Sequence, residues 1–517
     1  MTSPLRFALF PHLALLLTVP ALSATIRVPD DQPTIQAGVN AATAGDTVLV
    51  APGTYAGTGN RNIDFAGKAV ALLSLAGADV TIIDCERDGR GFSFHQGETS
   101  AALVDGFTVR NGFTGVVGGA GFLFDASSPR VRRCVIAQNE ADLGAGMACS
   151  GTAAPLIEDC IFRGNIGFSG AGIYTNANPR VIGCEFIENE VSQWGGAMYC
   201  GHPSAPEITE CSFLRNSAED GGGVVCAGST PTFTGCEFTK NMAYHDMFVV
   251  NGGGMMCFSA SPVLIDCLFS RNTAQSGGFS SGGGGLGAWE SSVITMTGCT
   301  FVENRAGLSG GGVICDYGAT ANMTRCTFIR NSASAFGGGV GFIRDASPKL
   351  QECTFWGNEG GWGGGLSAGE SPMTVTRCTF YDNSGFGSAL NVWSAPATVD
   401  RCIIASGREG PAVSCSQPGA SVSITCSDIY ANEGGDWVDC VFGQGTSLGN
   451  FSADPRFCAP NAGDFTLAAN SPCLPGNHPN GADCGVIGVL GEACPPTAVR
   501  EATWGAIKAR FGKRVEP

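Results

Sequence analysis

Apolar residues in the middle of this chain return every 24–32 residues, and each return carries the same internal pattern. Relative to a recurring Cys, an apolar residue sits three positions before (Val131, Ile157, Val181, Ile208, Phe233) and another two positions after (Ile136, Phe162, Phe186, Phe213, Phe238). An Asn follows five positions after, from Asn139 to Asn383. A glycine cluster comes next, then two apolar positions spaced by two, as in Met198/Cys200 and Val224/Cys226, with a variable residue between them. A period of two with one constant face predicts a half-buried strand. Each unit therefore predicts three short strands, each with an inward apolar position, joined by Gly or Pro corners.

A repeat of 20–50 residues means stacked units that bury a continuous core. About 25 residues with so many corners suit one coil of a parallel β-helix. The fold expected is all-β, a right-handed parallel β-helix solenoid of about 14–16 coils, ~70 Å long at the strand spacing. Equivalent residues then stack from coil to coil. Cys184, Phe186 and Asn189 fall above Cys211, Phe213 and Asn216 as a structural ladder. Asn is expected at a corner, where its amide bonds backbone groups and the next Asn.

The 24 cysteines enter here. In an exported chain the default is a disulfide framework. Twelve of them, from Cys134 to Cys426, follow the repeat, and parallel side chains suit disulfide torsions poorly. They predict a mostly reduced ladder of small buried hydrophobes. Cys415, Cys440, Cys458, Cys473, Cys484 and Cys494 lie off the period, and pairs such as Cys473–Cys484 or Cys484–Cys494 are candidates.

Composition sharpens the picture. Glycine is 77 of 517 residues, about twice the usual ~7%, as many tight corners require. Residues 1–24 read as a signal peptide, with Arg6 before the apolar run Phe7–Val19 and small residues at the expected cleavage site. No later segment predicts a membrane span. The formal net charge is −16, and one more negative without Arg6. Such a surface excludes nucleic acid as a natural partner. The domain reading is 1–24 signal peptide, 25–130 N-terminal cap and first coils, 131–432 regular repeats, 433–494 last coils and cap, and 495–517 a short basic tail.

The copies CEFIENEVSQWGGAMYC (184–200), CTFVENRAGLSGGGVIC (299–315) and CTFIRNSASAFGGGVGF (326–342) resemble the repeats of chlamydial polymorphic outer membrane proteins, within the wider pectin-lyase-like class. The stretch 25–55 resembles the start of secreted bacterial β-helix proteins, where a short amphipathic helix, here Thr34–Ala42, caps the first coil. Stretch 450–473 resembles their last coils. The chlamydial relatives need a C-terminal membrane barrel; 23 residues follow Cys494, too few for one, so a self-translocating chain is not expected.

The resemblance implies a fold that hosts many activities. Pectate lyases carry an acidic Ca²⁺ site beside a basic residue, and polygalacturonases carry paired Asp and a Gly-His-Gly set. Neither is present: Gly201-His202 is followed by Pro203. No catalytic residue is assigned, no cofactor is implied, and Ca²⁺ has no motif. The candidate binding residues come from two long steps in successive coils, which place Tyr244, His245 and Asp246 on one loop and Trp289 and Glu290 after the other. Loops on rigid scaffolds carry function, and a His-Asp pair with aromatics suits a sugar or acid–base work. Trp194, Trp356, Trp362 and Trp393 are candidate sugar-stacking surface. The leading expectation is an exported, non-catalytic surface or extracellular protein, adhesin-like or glycan-binding, secreted or associated with the outer membrane, with polysaccharide or a host or neighbouring cell surface as partner. The alternative is a polysaccharide lyase or glycoside hydrolase with an atypical site.

Overall fold

The computed structural model describes residues 23–116, 118–246, 250–276 and 281–494. Residues 1–22 of the expected signal peptide, and the expected basic tail 495–517, lie outside the described residues. The chain is a right-handed parallel β-helix of about 15 turns. Four parallel sheets run along it. Sheet I has 16 strands and carries the apolar residue before each Cys; sheet II has 15 and carries the Phe column. Sheet III has 10 strands, each beginning just after the Asn; sheet IV has 14 and follows the glycines.

Sheet III is the departure from expectation. Three strands per unit were expected, and from coil 140 to coil 386 there are four. Its inward column is only Ala or Gly (Ala218, Ala243, Ala274, Ala306, Ala333, Gly360), interrupted by Val191. Its other positions are mostly polar, so hydrophobic alternation does not announce it.

The ladders hold. Phe rings from Phe162 to Phe380 stack at 4.4–5.1 Å, with planes within 10° of one another. From Asn139 to Asn358, each ladder Asn donates from Nδ2 to the next Asn and to the carbonyl of the previous coil's Phe column; Asn189 reaches Asn216 Oδ1 and Phe162 O, both at 3.0 Å. The residue before each Asn turns the corner in the left-handed region: Arg215, Lys240, Arg271 and Glu303 have φ of 53–56°. So does the residue before each Cys, among them Asp159, Glu210 and Gly183. That conformation costs of order 1 kcal/mol for a non-glycine residue, and the Asn and Cys ladders hold it in place. At the next corner glycine is required: a Cβ on Gly195 (φ 66°) would stand 2.2 Å from Met198 O.

The helix α1 spans Ile35–Ala41, one residue inside the expected bounds at each end, with Thr34 as its N-cap. It lays Ile35 and Val39 over the first coil. At the other end the chain reverses. Beyond the last solenoid strand, Asp428–Tyr430, a 3₁₀ turn at Asp439–Val441 closes the coil, and an antiparallel hairpin of Phe457–Ala459 with Asp464–Leu467 follows. Phe451, Leu467 and Ile487 pack on Ile403 and Ala405, on the outer side of sheet II.

The cysteines divide as expected in kind and differently in detail. Eighteen are free and buried. The bridges are Cys415–Cys440, Cys426–Cys484 and Cys458–Cys494, so neither expected pair forms and Cys473 is free. Cys426 also leaves the ladder. Ile404 registers with Ile429, which puts Ser427 in the Cys column, and Cys402 N donates to Ser427 Oγ at 3.0 Å. One residue of slip turns Cys426 outward, where Cys484 meets it.

Candidate functional site

Two neighbouring hollows lie on sheet III and the corner after it. The first is an open trough of about 630 Å³ running from Thr273 to Glu409. Its floor is the small-residue column, Ala274, Ala306, Ala333 and Gly360. One wall is the residue after each Asn: Thr273, Arg305, Ser332, Glu359, Ser384 and then Arg408. On the other wall Gly307, Ser334 and Gly361 stand where earlier coils carry Phe168, Glu219 and Tyr244, and the loss of those side chains opens the trough. Arg408 is paired with Asp382 at 2.9 Å. Arg305 is exposed and has no ion-pair partner among the described residues.

The second hollow, about 240 Å³, is walled by Phe336, Trp362 and Trp393 with Asn391, Ser416 and Gln417. It continues the first, because Ser332–Phe336 and Glu359–Trp362 are single strands that begin in the trough and end in the aromatic pocket. The Phe336 and Trp393 rings lie within 8° of parallel, 6.4 Å apart. Trp362 is 40% exposed and meets Phe386 edge-on at 5.0 Å.

The expected loop residues fall into two separate groups. The ends of the two long loops do pair, Val250 with Ser281 and Asn251 with Gly282. Tyr244 and His245 belong to a sheet III strand, in register with Gln275 and Ser276 of the trough wall. Tyr244 Oη donates to Asp246, which holds the Tyr244 phenol above its usual pKa. His245 Nε2 is 3.9 Å from Glu219 Oε1. Beside them Asp220, which the sequence did not single out, accepts from Asn251 N at 2.8 Å, and burial pushes its carboxyl up to about 6. Trp289 and Glu290 do not join this group. Trp289 ends a strand of sheet IV and packs on Tyr317 at 5.0 Å, and Glu290 after it turns a left-handed corner.

Of the four other tryptophans, Trp362 and Trp393 come together. Trp194 sits against Phe168 at 6.2 Å on an earlier coil, and Trp356 is covered by Phe465 at 6.0 Å. The trough residues Arg305 and Glu359 sit on the strand the sequence did not announce, and Arg408 bridges to Ser384 just past its last strand. The signal for Arg305 and Glu359 was the position after each Asn; Arg408 follows Gly407. Among the described residues no three metal-ligating side chains converge, and no helix is long and apolar enough to cross a membrane.

A family model described as a right handed beta helix region matches residues 53–197, 99–274, 157–313 and 266–433. Among solved structures, a mannuronic acid specific family 6 polysaccharide lyase from human gut microbiota is 11% identical, with 78% of this chain and 91% of that one covered and a TM-score of 0.37. The A-module of a mannuronan C-5 epimerase from Azotobacter vinelandii is 14% identical, with 81% and 93% covered and a TM-score of 0.31. A pectate lyase is 11% identical, with 91% and 97% covered and a TM-score of 0.28. No curated protein matches the chain.

Proposed function

We propose that this chain, which belongs to the right handed beta helix family, is an exported glycan-binding scaffold that holds a carbohydrate chain along sheet III. The observation that carries this reading is the sharing of strands Ser332–Phe336 and Glu359–Trp362 between a polar trough and an aromatic pocket. A sugar offers hydroxyls on its edges and C–H groups on its faces. A small-residue floor lets it approach the backbone, polar walls meet its edges, and aromatic rings take its faces. The rigid ladder beneath fixes these groups before binding, which lowers the ordering cost.

The test is retention of the purified protein on immobilised polysaccharides, with reducing ends and unsaturated uronates followed with and without Ca²⁺. Retention without cleavage supports the scaffold, with Arg305→Ala and Trp362→Ala each weakening it. A panel on which nothing is retained or cut removes the reading.

A second reading, a polysaccharide-cleaving enzyme, draws on one feature. Asp220, whose carboxyl desolvation pushes up to about 6, lies with Glu219 and His245 beside the trough. A carboxyl so shifted can act as a general acid near neutrality. Cleavage lost in Asp220→Asn and His245→Ala would put this reading first.

A further inference from the structure

We infer that the pocket at Phe336, Trp362 and Trp393 is a subsite for one uncharged pyranose ring, and that Asn391 selects it by accepting a ring hydroxyl. The inference rests on the glycan-binding reading and adds to it the class of sugar and the residue that reads it.

Three observations meet here. The first is that Asn391 is only 1% exposed and yet lines the pocket. Its Nδ2 donates to Ser414 Oγ at 2.8 Å and to Ser416 Oγ at 2.7 Å. Those two bonds use the donor side of the amide. Oδ1 has no hydrogen-bond partner among the described residues. An acceptor left open on the pocket wall favours an occupant that brings a donor over an apolar one.

The second is the absence of any ionisable side chain from the lining residues, which are Phe336, Trp362, Asn391, Trp393, Ser416 and Gln417. A carboxylate or sulfate here would lose water without meeting a cation. The trough next door, with Arg305, Glu359 and Arg408, is where a charged group could sit; the aromatic pocket is not.

The third is shape. The rings of Phe336 and Trp393 are nearly parallel, and the indole of Trp362 remains partly open to solvent. Flat apolar walls with one fixed acceptor match a ring that has an apolar face and an equatorial hydroxyl edge. Gln417 supplies a second amide at the rim.

The experiment uses the full folded chain and methyl glycosides of glucose, galactose and mannose, with glucuronate and galacturonate as charged counterparts. Tryptophan emission reports occupancy. The expected result is saturable binding of at least one uncharged glycoside, with its uronate about tenfold weaker or worse. Asn391→Leu should reduce binding by about tenfold. Because Asn391 is buried, Trp362→Ala is the second variant; its side chain is partly exposed and its removal leaves the core ladders intact. Equal binding of glycosides by both variants and the wild type overturns the subsite, and so does a uronate that binds better than its uncharged counterpart. Longer glycans distinguish the two levels. Binding that Arg305→Ala weakens and Asn391→Leu and Trp362→Ala leave unchanged would keep the trough and remove the subsite. If the wild type holds neither glycosides nor longer glycans, both fall.

Discussion

Asn189 and Asn216 lie one coil apart, and Asn216 Oδ1 takes two hydrogen bonds from Asn189, one from its backbone N–H and one from Nδ2, each 3.0 Å. Asn216 Nδ2 in turn donates to Phe186 O and to Asn241 Oδ1, each at 3.0 Å, so one amide joins three coils. Both side chains are fully buried. This contact explains why the corner residue repeats so strictly and why the left-handed residue before it is tolerated.

Asn216→Ala is expected to strip two buried donors of their acceptor. The cost should be on the order of 3 kcal/mol, at 1–3 kcal/mol per orphaned group. Urea unfolding followed by circular dichroism checks it. A cost below about 1 kcal/mol would mean that water or a neighbour replaces the amide.

Cys184→Ser is expected to be mild, about 1 kcal/mol or less. Ser427 already fills a rung of this column, accepting from Cys402 N at 3.0 Å and donating to Thr425 O at 2.8 Å. Cys184 makes the same contacts, from Cys160 N and to Ile182 O. Cys184→Leu should cost more, about 1–3 kcal/mol, because the stacked column has no room. The eighteen buried thiols should also resist a thiol reagent until the chain unfolds.

Asp428 sets a pH dependence. Burial pushes its carboxyl up to about 8, from an ordinary value of 3.8, although it accepts from Ala453 N and Cys473 Sγ. The folded chain thus keeps a proton that the unfolded chain releases. This contribution is complete below about pH 4 and is lost as pH rises through about 8. Asp428→Asn should flatten the stability profile across that window and exceed the wild type in denaturant midpoint at pH 9. A variant that still loses stability between pH 5 and pH 9 as steeply as wild type would place the titration elsewhere.

Ser332→Trp is expected to fill the trough between Arg305 and Glu359, which register with it on either side. Glycan retention should fall at least tenfold while the thermal midpoint moves little, since position 332 is not part of the inner ladders. Retention unchanged by this substitution would move the binding face off sheet III.

Much of this fold is legible without coordinates. The column at Phe186, Phe213 and Phe238 is a single inward position repeated once per coil, and a solenoid turns such a period directly into stacking. The candidate site is far less legible. Trp362 and Trp393 are separated by a full coil in the chain, and the pocket exists because the glycine corner folds the end of a sheet III strand toward sheet IV. Tyr244 and Trp289 look equivalent in the sequence, each beside a long loop. The fold sets one beside Gln275 at the end of the trough and the other at a different corner beside Tyr317.

The sequence by itself determined the coil period, the ladders, the reduced state of their thiols and the capping helix, because each depends on a pattern that repeats locally. Only the tertiary structure decided the fourth sheet, the trough, the pairing of Cys426 with Cys484 and the pocket around Asn391. These depend on side chains from different coils meeting at an outer surface, where the repeat is free to vary and leaves no period to read.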